Sequence, residues 1–209
     1  MKTKGQVAGF ILAGGESSRM GREKALLEIG GVPLILRTAR LVESVAGSAI
    51  VVGDSAAIRG LGLRTVADDW PGAGPLGGIA TALRVSSAPW SLVVACDLPY
   101  LTKAWLEHLI SRALGAETDV VLAMNTRGAE PLSALYHERA EPAIRSALTL
   151  GTRKVTDALE NLRIEVIEPA EWKAFDSDGY LFKNMNSPED YEEARARLGK
   201  GAGSGFGEK

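Results

Sequence analysis

VAGFILAGGESSRMGREK, residues Val7 to Lys24, is an apolar run of strand length that breaks into a glycine-rich, charged loop. The run Val7 to Ala13 is too uniformly apolar for a half-exposed strand, so it reads as a buried one, covered on both faces. The loop from Leu12 to Lys24 has the content of an anion cradle. Glycines let backbone N–H groups approach a phosphate closely, and Arg19, Arg22 and Lys24 add positive charge among Glu16 and Glu23. It is neither a Walker A loop, since GxxxxGK[ST] is absent, nor a GxGxxG turn. On spacing alone it also reads as a tight strand-to-loop turn with solvated charges.

Outward from this stretch, apolar strand-length runs alternate with helical patterns. Strands are expected at Ala49–Asp54, Arg64–Asp69, Ser91–Asp97, Asp119–Asn125, Pro131–Tyr136 and Ile164–Glu168. Helices are expected from Pro33 to Ala46, Leu76 to Val85, Thr102 to Leu114, Glu138 to Leu150 and Val155 to Asn161. Gly30-Gly31 makes a turn, and Ser187-Pro188-Glu189-Asp190 starts a last helix ending near Leu198, with a capping serine and acids at the positive helix end. Such alternation implies an α/β fold: a mostly parallel sheet with helices on both faces. With no internal repeat and no splitting linker, residues 1–198 read as one domain. Gly199–Lys209, GKGAGSGFGEK, reads as a flexible tail.

The composition agrees. The chain has 209 residues, 45% hydrophobic and 24% charged, which excludes a largely disordered chain. A single cysteine excludes a disulfide framework and suggests a reducing, cytoplasmic setting. No apolar run approaches the roughly 18–20 residues that span a bilayer, so no membrane is expected. A net charge of −2 argues against a broad nucleic-acid footprint; any anion must be held locally. The 24 glycines exceed the roughly 15 that average usage predicts. Twelve of them lie in two loops, this one and 68–78, and in the tail.

Residues 68–78, DDWPGAGPLGG, contain Gly72, Gly74 and Gly77 at GxGxxG spacing, with Asp97 about 20 residues on. Trp70-Pro71 and Pro75 interrupt the strand–turn–helix geometry this fingerprint needs. The loop instead offers backbone suited to a flat base or sugar, with Asp68 and Asp69 at its mouth as ribose or base acceptors, or as solvated acids. In ACDLPYL (Ala95–Leu101), Asp97 ends a buried strand at the edge where α/β sheets bind ligands. A carboxylate there suits Mg²⁺ shared with substrate phosphates, or a turn before Pro99. Cys96 reads as a buried small hydrophobe, and His108 and His137 carry no ligand pattern. The loop within Arg127–Tyr136 reads as lining a second substrate. Asn184 and Asn186 read as turn residues facing one way together.

Taken together, LAGGESSRMGREKALLEIGGVPLI, DDWPGAGPLGGIATAL, ACDLPYL, EPLSALY and NMNSPEDY resemble the molybdenum cofactor guanylyltransferase (MobA) family, in order from about residue 7 to 198. The paired Gly14-Gly15 looks like the guanylyl rather than the cytidylyl branch of the superfamily. The resemblance implies a Rossmann-like, GT-A-type three-layer nucleotidyltransferase fold. It implies transfer of GMP from GTP to the phosphate of Mo-molybdopterin, with Mg²⁺ as cofactor. Leu12, Ala13, Gly14 and Gly15 would contact the nucleotide, Arg19 and Lys24 would neutralise the triphosphate, and Asp68 would contact GTP. Asp97 would hold Mg²⁺ and the nucleotide phosphates. Gly77 and Gly78 would lie by the guanosine, and Asn184 and Asn186 towards the pterin. Proteins that deliver molybdopterin or mature molybdoenzymes would be further partners. Two positions depart from the family pattern: Glu23 stands where aspartate is common before the lysine, and Gly53 where some members carry a nucleotide-contacting asparagine. The alternatives are cytidylyl transfer to molybdopterin or to a polyol or sugar phosphate, a dinucleotide-dependent oxidoreductase, and a nucleotide-sensing adaptor.

Overall fold

The computed structural model describes residues 5–13, 24–53 and 55–199. Gly14, Gly15, Arg19 and the tail from residue 200 lie outside the described residues. The fold is built on the strand β1 (Val7–Leu12), all six residues of which are buried. It pairs in parallel with β4 (Ala49–Val52) on one side and β6 (Trp90–Ala95) on the other. Alternate residues leave β1 on opposite faces. Ile11 joins a core with α1 (Leu34–Ala46) and α4 (Lys103–Leu114). Phe10 joins a second core with α3 (Pro75–Val85), α5 (Glu141–Thr149) and α6 (Val155–Ala158). Burial on both faces is why the strand carries no polar alternation.

Helix α1 buries Leu34, Ile35, Thr38, Ala39, Val42, Val45 and Ala46, a stripe at helical spacing, and stops at Gly47 in the left-handed conformation. Thr102 caps α4, accepting from the Trp105 N–H at 3.2 Å. The last helix, α8 (Pro188–Leu198), begins with a full capping box between Ser187 and Asp190. Between β1 and α1, a hairpin of β2 (Glu28–Ile29) and β3 (Val32–Pro33) turns on Gly30-Gly31 and packs against α8 through Ile29, Leu34, Met185 and Ala194.

Among the described residues the sheet order is β10-β7-β9-β6-β1-β4-β5, where β5 is Thr65–Val66, β7 Val120–Asn125, β9 Ser133–His137 and β10 Ile164–Ile167. All neighbours are parallel except β9, which runs antiparallel to both β6 and β7. The reason is length. Residues 126–132, with the short β8 (Gly128–Ala129) folded back on β7, cannot make the crossover of a dozen or more residues that a parallel strand needs. The reversal delivers residues 130–132 to the same sheet edge as the carboxyl ends of β6 and β7.

Other differences from the sequence reading are local. The strand expected at Arg64–Asp69 shortens to β5. The helix expected from Glu138 becomes a 3₁₀ turn (Glu138–Ala140) followed by α5, because Pro142 lacks the N–H an unbroken helix would need. The short helices α2 (Ala56–Arg59) and α7 (Pro169–Trp172) carry too little periodicity to be read. No helix of the described residues is long and apolar enough to cross a membrane.

At the opposite edge, Asp119 locks three strands together. Its carboxylate accepts from the backbone N–H, Nε and Nη2 of Arg163 and from Nε of Arg139, while its carbonyl accepts from the His137 N–H. These arginines hold its carboxyl well below the usual carboxylate range, against burial. The stabilisation is therefore complete above about pH 5 and lost as pH falls through the unfolded value near 4 and below it. Asp119→Asn should cost about 2 kcal/mol at pH 7, a figure kept low by the exposed guanidinium ends. Urea unfolding of both proteins at pH 7 and pH 3 should show that gap closing at the lower pH.

Candidate functional site

The parallel strands end on one edge, and the described residues singled out from the sequence collect there. Leu12 closes β1 and accepts, through its carbonyl, from the Cys96 N–H at 3.2 Å; the Ala13 N–H donates to Val52 O at 3.1 Å. Cys96 itself is buried in the core. Asp97 lies in the turn after β6. Its carbonyl accepts from the Met185 N–H at 2.9 Å, and Met185 is buried among Ile29, Leu34 and Ala194. That anchor carries the segment 183–187 across the sheet edge.

Lys24 opens the 3₁₀ turn Lys24–Leu26, whose Ala25 is buried. Its Nζ lies 3.4 Å from Asp97 Oδ2 and donates to Asn186 Oδ1 at 2.9 Å. Lys24 and Asp97 are 19% and 22% exposed in their side chains, so the ion pair is shielded yet open to a ligand. Two segments, 73 and 162 residues from Lys24 along the chain, thus meet at its ammonium group. Asn186 is further fixed by its N–H, which donates to Asp190 Oδ2 at 3.0 Å within the α8 cap. Asn184, half-buried two residues before, makes none of these contacts.

On the other flank, Asp68 Oδ1 accepts from the Trp70 N–H at 3.0 Å and from Thr81 Oγ1 at 2.9 Å. Asp69 is taken by Arg84, whose Nε and Nη2 both donate to it. Of the two acids at the loop mouth, Asp68 is therefore the one bound into the loop. Thr81, not singled out in the sequence, does this from mid-helix; only its spacing from Asp68, invisible before folding, could have marked it. Gly74 stands at the start of α3, where no side chain caps the helix amides. Such an end attracts anions.

Gly77 and Gly78 are buried inside α3. A Cβ on Gly77 would sit 2.9 Å from the Trp70 backbone, and one on Gly78 2.9 Å from Leu12. Gly78 lets the helix close on Leu12 at the end of β1, and Gly77 lets it close on the preceding loop at Trp70. Because β5 ends at Val66, well before Gly72, the GxGxxG spacing does not form a dinucleotide turn. Gly53 has φ +127° and bonds through its N–H to Val66 O at 2.9 Å, so it offers backbone where a side chain would be strained.

The chemistry available is an oriented ammonium and a hard carboxylate at the carboxyl ends of β1 and β6. One carboxylate plus substrate phosphate oxygens and water is a donor set that fits Mg²⁺. His108 is instead paired with Glu171, and His137 accepts from the Arg139 N–H to cap a 3₁₀ turn.

Residues 9–166 match the MobA-like NTP transferase domain. A probable molybdenum cofactor guanylyltransferase of Pelotomaculum thermopropionicum is 35% identical, covering 91% of this chain and 92% of that protein. The molybdenum cofactor guanylyltransferase of Desulfosudis oleivorans is 32% identical, covering 93% and 97%. Among solved structures, the molybdopterin-guanine dinucleotide biosynthesis protein A of Archaeoglobus fulgidus superposes with a TM-score of 0.81 at 27% identity, over 92% of this chain and 98% of that one. A nucleotidyl transferase of Methanothermobacter, 21% identical with a TM-score of 0.71 over 94% and 99% of the two chains, shares the fold. The edge that gathers Lys24, Asp97 and Asn186 is thus the edge of a nucleotidyltransferase sheet, and the chain belongs to the MobA-like NTP transferase family, among the molybdenum cofactor guanylyltransferases.

Proposed function

We propose that the protein transfers GMP from GTP to the terminal phosphate of Mo-molybdopterin, forming the guanine dinucleotide cofactor and releasing pyrophosphate. The observation that supports this most is the meeting of Lys24, Asp97 and Asn186 at the carboxyl edge of β1 and β6. An acceptor phosphate oxygen attacks the α-phosphorus in line; the new P–O bond forms as the bond to the β-phosphate oxygen breaks. The nucleophile is already an anion at neutral pH, so no general base is needed. The protein's part is positioning and charge stabilisation.

Lys24 stabilises the negative charge that builds on the departing pyrophosphate, a role Arg19 is proposed to share. Asp97 orients that ammonium and is the residue that would hold Mg²⁺, which would supply positive charge to the phosphates. Leu12 and Ala13, with Gly14 and Gly15, supply backbone to the nucleotide. Asp68, Gly53 and the α3 start with Gly77 and Gly78 form its nucleoside flank. Asn184 and Asn186 face the acceptor. The test is pyrophosphate release with GTP, Mo-molybdopterin and Mg²⁺. Release is expected only when both substrates are present; release from GTP without acceptor would contradict the assignment.

A further inference from the structure

Glu130 is a shielded carboxylate on the sheet edge that the chemistry above does not use. Its side chain is 15% exposed. Along the edge, Asp68 follows β5, Gly53 follows β4, Ala13 follows β1 and Asp97 follows β6, while residues 130–132 enter β9 just beyond β6. The Ala95 N–H donates to Leu132 O at 2.9 Å, which ties the two segments directly. With strands about 4.8 Å apart, Glu130 lies within roughly 10 Å of the Asp97 strand, on the side away from Asp68. The nucleoside features fill the β5–β4–β1 half, so the half holding Glu130 remains for the acceptor.

Its surroundings are rigid and connected to the reaction centre. The Glu130 N–H donates to Ala123 O at 2.9 Å, and the buried Tyr136 hydroxyl donates to Pro131 O at 2.7 Å. Asn125 Nδ2 donates to Glu130 Oε1, and Arg127 Nη2 stands 3.8 Å from the same oxygen. The same Arg127 nitrogen donates to Phe182 O at 2.8 Å, two residues before Asn184. Both side-chain contacts fall on Oε1, leaving Oε2 with no partner among the described residues. Burial pushes the Glu130 carboxyl above the usual carboxylate range, and Arg127 and Asn125 pull it back only in part. A shielded carboxylate at the ligand-binding edge of the sheet, with one oxygen unpartnered among the described residues, marks a functional position.

We propose that Glu130 is a specificity-determining residue that binds the 2-amino-4-oxopyrimidine edge of the pterin acceptor. That edge presents two neighbouring N–H donors, at N3 and the 2-amino group, which one carboxylate accepts in parallel. The assignment rests on the guanylyl-transfer reading and deepens it. Glu130→Gln keeps the shape but turns one acceptor into a donor facing donors.

The experiment measures pyrophosphate release by the parent protein, Glu130→Gln and Glu130→Asp, varying Mo-molybdopterin and GTP separately. The expected result is an acceptor KM raised about tenfold or more in Glu130→Gln, with the KM for GTP and the melting temperature held. Glu130→Asp, which keeps the carboxylate but retracts it, should fall between. An unchanged acceptor KM, or an equal rise in the KM for GTP, overturns the inference while leaving guanylyl transfer intact. No turnover by the parent protein overturns both.

Discussion

Asp97→Ala is expected to lose about a thousandfold or more of kcat while melting within a few degrees of the parent protein. The two halves of that expectation come from different atoms. The fold uses the Asp97 carbonyl, which receives the Met185 N–H, and that bond survives the substitution. The carboxylate is one member of a partly exposed ion pair with Lys24, worth about 1 kcal/mol or less to stability. Its catalytic value is larger because it fixes the ammonium and offers a hard oxygen donor where phosphates gather. Circular dichroism melting beside a pyrophosphate assay checks both halves. Turnover near the parent rate would remove Asp97 from the reaction, and a collapse in melting temperature would make its role structural.

Lys24→Met should lower kcat/KM by about a hundred- to a thousandfold, an effect of roughly 3–4 kcal/mol on the transition state. The methionine keeps the apolar stem and removes the charge. Lys24 is held by Asp97 on one side and Asn186 on the other, so the ammonium is already placed when substrate arrives. Losing it leaves the Asp97 carboxylate without its counter-charge, next to an incoming polyanion. Both the KM for GTP and kcat should therefore suffer, with the larger share in kcat. Lys24→Arg should rescue little, because a planar fork cannot occupy the geometry of a point charge that reaches Asn186 Oδ1 at 2.9 Å. Steady-state kinetics varying GTP at saturating acceptor separates the two contributions.

What could be read before folding was what depends on neighbours in the chain. The apolar run of β1, the Thr102 and Ser187 caps and the Gly30-Gly31 turn each rest on a few consecutive residues, and each stands where expected. The reversal of β9 was not legible, because it follows from a connection too short to cross over and from which strands lie beside it. The site divides the same way. Lys24, Asp97 and Asn186 stood out in three separate motifs, but only the folded chain brings them to one ammonium group. Asp68 and Asp69 were equivalent in sequence until Thr81 and Arg84 took one each. Asp119 carried no local signal, and Glu130 stood out only as part of the 127–136 loop and the EPLSALY motif, since their partners lie across strands or around a hairpin.

In the proposed reaction this edge moves GMP, and no other nucleotide, onto a pterin phosphate. Its most direct test offers the protein equimolar GTP and CTP with Mo-molybdopterin and Mg²⁺ and weighs the product. The expected result is a mass gain of one GMP residue per acceptor, with pyrophosphate released in equal amount and GTP alone consumed. A product carrying CMP, or nucleotide consumed without any gain in acceptor mass, would contradict it.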